Sequence, residues 1–390
     1  MCQGIQVTAA PPVPESSPAD PPHLFDRFRL RDLTLPNRIV VSPMCQYSAA
    51  DGRATDWHLL HLGQMALSGA GLLVVEATAV EARGRITPGC VGLYDDATEA
   101  ALARVLAVIR PVAAMPIAIQ LSHAGRKASS GRPWEGGSLI APADGGWIGV
   151  APSALPHRPD EPPPAALDRS GLDGVREAFV QATRRAARLG FDAIELHGAH
   201  GYLLHQFLSP ISNRRTDAWG GSLENRMRFP LEVFEAVRAE WPAGKPLGVR
   251  VSATDWVDGG WDPDQTVAFA QALADRGCDW IDVSSGGVSP AQRIVPSPGY
   301  QVPLARRVRE AVGIPVIAVG LITEPSQAQA VVTEGHADLV ALGRALLWNP
   351  RWPWHAAAAL GGRVTGPPQY WRAPPRNAGE VMGPTRFGQR

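Results

Sequence analysis

The sequence predicts an α/β protein folded as a (β/α)8 barrel of the TIM type, on three observations. Eight short runs, at residues 38–42, 72–76, 117–121, 193–196, 247–251, 280–283, 316–319 and 339–342, are β-rich or continuously apolar, as parallel strands covered on both faces must be. Longer helical stretches lie between them, at 57–68, 99–112, 174–189, 225–240, 263–276, 302–312 and 325–333, so the two kinds of element alternate. No Gly-x-Gly-x-x-Gly turn follows an early strand, which counts against an open dinucleotide-binding sheet built from the same elements.

Taken in order, each strand run is bounded by Gly, Pro or polar residues; the first ends at Pro43 and the seventh begins after Pro315. In the 174–189 stretch, Val175, Phe179, Ala182, Ala186 and Leu189 repeat at helical spacing, and Gly190 closes the segment as a C-terminal cap would. Ser and Asp residues precede several of the helices, which suits N-capping. Two stretches, 128–170 and 288–300, carry no clear period; the first is Pro-rich and long enough to predict a lid or an active-site excursion. The expected organisation is a disordered Pro-rich tail over 1–22, a barrel over 23–360 and an irregular C-terminal tail over 361–390.

The 390 residues carry 37 basic and 37 acidic side chains, so no net charge favours phosphate backbones or an anionic bilayer, and neither nucleic acid nor membrane is expected as a partner. No apolar run approaches the ~18 residues of a spanning helix. The first 22 residues lack Lys and Arg, unlike a signal or transit peptide, and a soluble cytoplasmic protein is expected. Cys2, Cys45, Cys90 and Cys278 are widely spaced, with no zinc-ribbon, iron–sulfur or disulfide pattern. Among the 37 cations only Lys127 and Lys245 are lysines.

A barrel of this type gathers its chemistry at the C-terminal ends of its strands, and unusual residues do cluster there. Gly320 after the seventh strand, with Gly343-Arg344 after the eighth, suits a phosphate cradle, although Gly343 could be a plain turn residue and Arg344 a surface charge. Arg250 inside an apolar strand needs an anionic or acceptor-rich partner: an internal carboxylate such as Glu76 or Glu195, or a ligand. With Gln120 it would suit the polar edge of a heteroaromatic ring such as a flavin's pyrimidine, which becomes anionic on reduction. His197 and His200 could bind zinc with His205, could be satisfied core residues, or could form a pair of N–H donors holding a carbonyl or phenolate oxygen, with Tyr202 as an acid beside them. Lys127 is either a solvated loop lysine or an ammonium near a flavin ring or ribityl chain, and Cys45 either an inert thiol or one facing a ligand.

Three motifs in series, Ser42-Pro43-Met44-Cys45-Gln46-Tyr47, the run from His197-Gly-Ala-His200-Gly-Tyr202 to Pro210, and Asn213-Arg-Arg-Thr-Asp217 through Asn225-Arg226, resemble the Old Yellow Enzyme family of FMN-dependent ene-reductases. Cys45, Tyr47 and the His-x-x-His pair are most similar to its thermophilic-like class, with the bacterial NADPH dehydrogenases and xenobiotic reductases. The likeness spans roughly 24–360, and Trp219 departs from it where a Tyr is usual. It implies non-covalent FMN contacted by Ser42, Pro43, Met44, Cys45, Ala77, Gln120, Arg250, Gly320, Gly343 and Arg344, with no metal. NADPH would reduce the flavin, and hydride would pass from flavin N5 to the β-carbon of an activated alkene while Tyr202 protonates the α-carbon. His197 and His200 would hold the substrate oxygen, Cys45 would tune the flavin, and Tyr47 and Lys127 would help bind the substrate. The resemblance also implies a homodimer or homotetramer in which a C-terminal Arg, here Arg372, reaches a neighbour's site.

Overall fold

The structure, a computed structural model, describes residues 21–383; the expected N-terminal tail lies outside the described residues apart from Pro21 and Pro22, as do positions 384–390. It opens on an antiparallel hairpin of β1 (Phe28–Leu30) and β2 (Leu33–Leu35). Then come β3 (Ile39–Val41), α1 (Asp56–Ala66), β4 (Leu72–Ala79), α2 (Asp96–Ile109) and β5 (Ile117–Ser122). After an excursion holding two short strands, β6 (Val150–Ala151) and β7 (Ala165–Ala166), follow α3 (Arg169–Arg188), β8 (Ala193–Gly198), α4 (Leu203–Leu208), α5 (Leu223–Glu240) and β9 (Leu247–Ser252). The last part holds α6 (Pro263–Ala274), β10 (Trp280–Ser284), α7 (Val302–Ala311), β11 (Val316–Val319), α8 (Pro325–Thr333), β12 (Leu339–Leu342), α9 (Arg344–Trp348) and α10 (Trp352–Leu360).

Strands β3, β4, β5, β8, β9, β10, β11 and β12 pair in parallel and close into one barrel, so the predicted (β/α)8 fold is the observed one. Every predicted strand run forms, and β4, β5, β8, β9 and β10 extend further at their C-terminal ends. Helices start where short polar side chains accept early N–H groups: Asp95 from Thr98, Asp168 from Gly171, Ser222 from Asn225 and Asp262 from Gln265.

Inward-facing residues divide the barrel into two halves. Val40, Leu72, Val74, Ala118, Ala193, Ile317 and Leu339 pack against Leu30 and Leu35, so the β1–β2 hairpin closes the N-terminal end with apolar side chains. Trp280 fills the next level. Its register partner on β9 is Gly248, where any Cβ would overlap the indole, so the glycine is what admits the ring. Above Trp280 the interior turns polar, with Arg250, Asp282 and His197 on adjacent strands and Ser252 and Ser284 one step further up. Gly248→Ala is therefore expected to cost about 1–3 kcal/mol through overpacking. Urea unfolding that places this variant level with wild type would show that the indole can move aside.

Candidate active site

At the end of β8 the chain turns tightly and His200 takes a left-handed backbone with φ of 58°. That conformation is uncommon for a residue with a Cβ, and three contacts hold it. The His200 N–H donates to Ser252 Oγ at 2.9 Å, its carbonyl accepts from Lys127 Nζ at 2.9 Å, and its Nε2 lies 2.7 Å from Ser284 Oγ. Its Nδ1 faces His197 Nε2 at 3.3 Å, with the rings perpendicular. The His197 ring also stands edge-on to Tyr202, centroids 4.9 Å apart. The Ala199 N–H points to His197 Nδ1 at 3.3 Å, which favours the proton on Nε2, facing His200.

Burial sets the protonation of this group. It pushes both imidazoles well below their ordinary pKa, with Arg250 adding to the shift, so each is a neutral ring with one N–H. Burial also raises the Tyr202 phenol well above 10 and keeps it protonated, and it raises the Cys45 thiol. Cys45, Tyr47 and Tyr202 share a small apolar cluster with Ala77, Cys90, Ala124 and Trp147. A one-residue bulge in β4 lies between Val75 and Thr78. There Glu76 accepts the Gln46 N–H at 2.9 Å, which ties down the Cys45–Tyr47 loop.

The geometry decides between several of the alternatives. Arg250 pairs with neither Glu76 nor Glu195: its Nε lies 3.2 Å from Asp282 Oδ2. Glu195 accepts instead from Gln120 Nε2 at 2.8 Å and Trp280 Nε1 at 3.2 Å. Zinc between His197, His200 and His205 is ruled out by geometry, because His205 Nδ1 accepts from the Gly201 N–H at 2.8 Å and its Nε2 lies 2.9 Å from Asp255. Among the described residues no cluster of His, Cys, Asp and Glu suits a metal ion. Lys127 is not a solvated loop residue: its ammonium is spent on the carbonyls of His200 and Gly287, 2.9 and 3.0 Å away.

At the opposite corner Ser42 hydrogen-bonds through its N–H to Leu342 O, and Met44 lies beside Gly343, so the ends of β3 and β12 meet there; the register brings Gly320 to the neighbouring position. Arg372 lies two residues beyond Tyr370 in the C-terminal segment. It is exposed in a segment whose Tyr370 lies against Trp354 and Arg351, and Arg351 donates to Leu67 O after the C-terminal end of α1. Ser252, Ser284 and Asp282 were missed in the sequence, yet each sits two residues along a strand from an inward-facing neighbour, a period that points to them.

The excursion is strapped over the cleft from below. Buried Arg126 donates to Leu155 O, Pro156 O and Val288 O, and Arg215 donates to Pro152 O and Leu167 O. Trp219 lies between the Arg169 and Arg215 guanidiniums and points its Nε1 at Glu232, so the third motif serves the scaffold more than the cleft.

A closed (β/α)8 barrel with neutral donors and buried acids over its C-terminal strand ends defines a barrel enzyme. The chain belongs to the NADH:flavin oxidoreductase / NADH oxidase family, whose sequence profile matches residues 23–361. It is thus an oxidoreductase that uses FMN with a nicotinamide hydride donor. It is 45% identical to an NADH:flavin oxidoreductase of Gibberella zeae over 89% of this chain and 90% of that protein. It is 44% identical to an NADPH dehydrogenase of Geobacillus thermodenitrificans over 90% and 98%. Among solved structures it resembles morphinone reductase, with a TM-score of 0.73, 31% identity and coverage of 91% of this chain and 94% of that one. An Old Yellow Enzyme homologue from Zymomonas mobilis gives 0.72, 27%, 88% and 94%. No helix among the described residues is long and apolar enough to cross a membrane.

Arg126→Met strands three carbonyls that the guanidinium now satisfies. The expected loss is roughly 2–3 kcal/mol in urea, with faster protease nicking between residues 150 and 165. An unchanged unfolding midpoint and cleavage pattern would mean that the strap is idle.

Proposed function

We propose that the protein is an ene-reductase that uses NADPH to reduce the C=C bond of α,β-unsaturated carbonyl and nitro compounds. The observation that carries this reading is the His197–His200 pair, two neutral imidazoles whose facing nitrogens lie 3.3 Å apart beside a protonated phenol.

The strand ends fit FMN. Ser42 Oγ is buried with no hydrogen-bond partner in the protein, Arg250 is held at the strand ends with its Nε turned to Asp282, and a Cβ on Gly343 would meet nothing nearer than Met44 Sδ at 3.6 Å. An unused hydroxyl, a fixed cation and an open backbone corner are what a flat polar ring with a phosphate tail requires. On this reading Ser42 to Cys45, Ala77, Gln120 and Arg250 hold the ring, and Gly320, Gly343 and Arg344 the phosphate. When bound, FMN supplies the hydride that reaches the β-carbon.

The chain's own residues do the rest. Alone, one imidazole accepts from the other. When the Ser284 hydroxyl donates to His200 Nε2, the proton of His200 moves to Nδ1, and two N–H groups then converge on one point. A substrate carbonyl oxygen placed there is held in orientation, and the bonds strengthen as charge builds on it. Tyr202 holds its proton until the α-carbon needs one. Tyr47 closes the cleft beside Cys45, with its carbonyl held by Arg132 Nε at 2.9 Å.

The test is anaerobic. NADPH is expected to bleach the yellow protein, and cyclohexenone to restore the colour. Tyr202→Phe is expected to slow recovery by ~10²–10⁴-fold and bleaching far less. Equal slowing of both phases would make Tyr202 a wall of the pocket and remove it as the acid.

The pH profile checks the imidazoles separately. Burial disfavours the imidazolium form, so proton uptake shifts to lower pH. The recovery rate is then expected to stay flat through the ordinary histidine value of ~6.5 and to fall only in more acidic solution. A limb near 6.5 that disappears in His197→Asn or His200→Asn would mean that a charged ring holds the substrate.

A further inference from the structure

Lys127 is one of only two lysines in a chain with 37 cations, and it reaches two residues of the cleft at once. Its Nζ donates to His200 O at 2.9 Å and to Gly287 O at 3.0 Å, and it lies 5.0 Å from the centroid of the Tyr202 ring. The two carbonyls belong to backbones that press on each other. Gly287 has φ of 95°, and a Cβ there would collide with the backbone of His200. The ammonium therefore closes the gap between the β8 and β10 loops at the point where His200 adopts its left-handed conformation. Burial, with Arg126 and Arg158 nearby, pulls its pKa down to about 8, so it remains charged at neutral pH. A charge this deep is tolerated because two carbonyls and an aromatic face replace its water.

We propose that Lys127 is the positioning residue shared by the two halves of the site: it fixes the backbone of His200, and hence the aim of its imidazole, while seating Tyr202 through the face of its ring. This rests on the reading of His200 as an oxygen holder and Tyr202 as a proton donor, and it takes Lys127 out of direct contact with substrate. Ser252 and Ser284 hold the N–H and Nε2 of His200, but only Lys127 among these partners touches both His200 and Tyr202.

The test uses FMN-loaded Lys127→Met, which keeps the stem and removes the donors. In ligand-free protein labelled with ¹⁵N-histidine, the ring signals of His200 are expected to shift while those of His58, on α1, stay in place. Binding of p-hydroxybenzaldehyde, a phenolic probe, is expected to weaken at least tenfold, and turnover of cyclohexenone to fall by up to ~100-fold, the scale of a small misplacement of a reacting group. Unmoved His200 signals together with wild-type affinity for the phenol would overturn the proposal. If wild type binds no phenol and reduces no enone, the functional reading fails, and the ¹⁵N shift still decides whether Lys127 sets His200. Should Lys127→Met fail to fold, the question passes to lysine-labelled Tyr202→Leu. With two lysines in the chain, the Lys127 ε-carbon signal is expected to move on loss of the ring while Lys245 stays; a stationary Lys127 signal would overturn the seating of Tyr202.

Discussion

The structure depends on hiding two carboxylates and a guanidinium inside one barrel. Glu195, Arg250 and Asp282 sit on adjacent strands β8, β9 and β10, all nearly out of reach of water. Burial raises both acids, Asp282 pushes Glu195 further, and Arg250 pulls both back. The arrangement is tolerable if Glu195 keeps its proton and Arg250 and Asp282 offset each other, since an uncompensated charge here would cost several kcal/mol. Everything above inherits that choice. The guanidinium stands beneath the cleft with its Nε turned to Asp282, and its charge helps keep the two imidazoles neutral.

The same strands explain why the cleft is at one end only. Trp280 occupies the space over Gly248, and the β1–β2 hairpin closes the opposite end, so the polar column can be reached only from the C-terminal side. Strand alternation then sets the order of functions. Residues 280, 282 and 284 form floor, charge partner and hydroxyl, two residues apart on one inward face.

Much of this was legible in the sequence because fully covered parallel strands carry continuous apolar runs, and because Arg250, Gln120 and the His-x-x-His pair break those runs where few residues could. The hairpin was not, since three residues per strand show no period. Neither was α4, whose Leu203–Leu208 span is buried on every side and so lacks a polar face. Partner choice was also hidden: Arg250 could be seen to need a carboxylate, but choosing Asp282 over Glu195 takes the barrel register, which sets Arg250 opposite Asp282 and Glu195 opposite Gly248. Lys127 stood out by its rarity, while the direction of its side chain follows from a turn and two distant loops that no local pattern specifies.

That rarity has a physical sense when the two kinds of cation are compared. Arg126, Arg215 and Arg238 each spread a planar fork over carbonyls that lie apart, clamping loops whose separation suits the width of a guanidinium. At Lys127 the two carbonyls converge on a single point beneath an aromatic ring, and a compact ammonium on a flexible stem suits that space better than a fork. The other lysine repeats the arrangement: Lys245 Nζ reaches Phe191 O and lies 5.2 Å from the ring of Trp241. Both lysines therefore stand where a point donor must meet a carbonyl and an aromatic face together, and the choice between the two cations follows from the shape of the space.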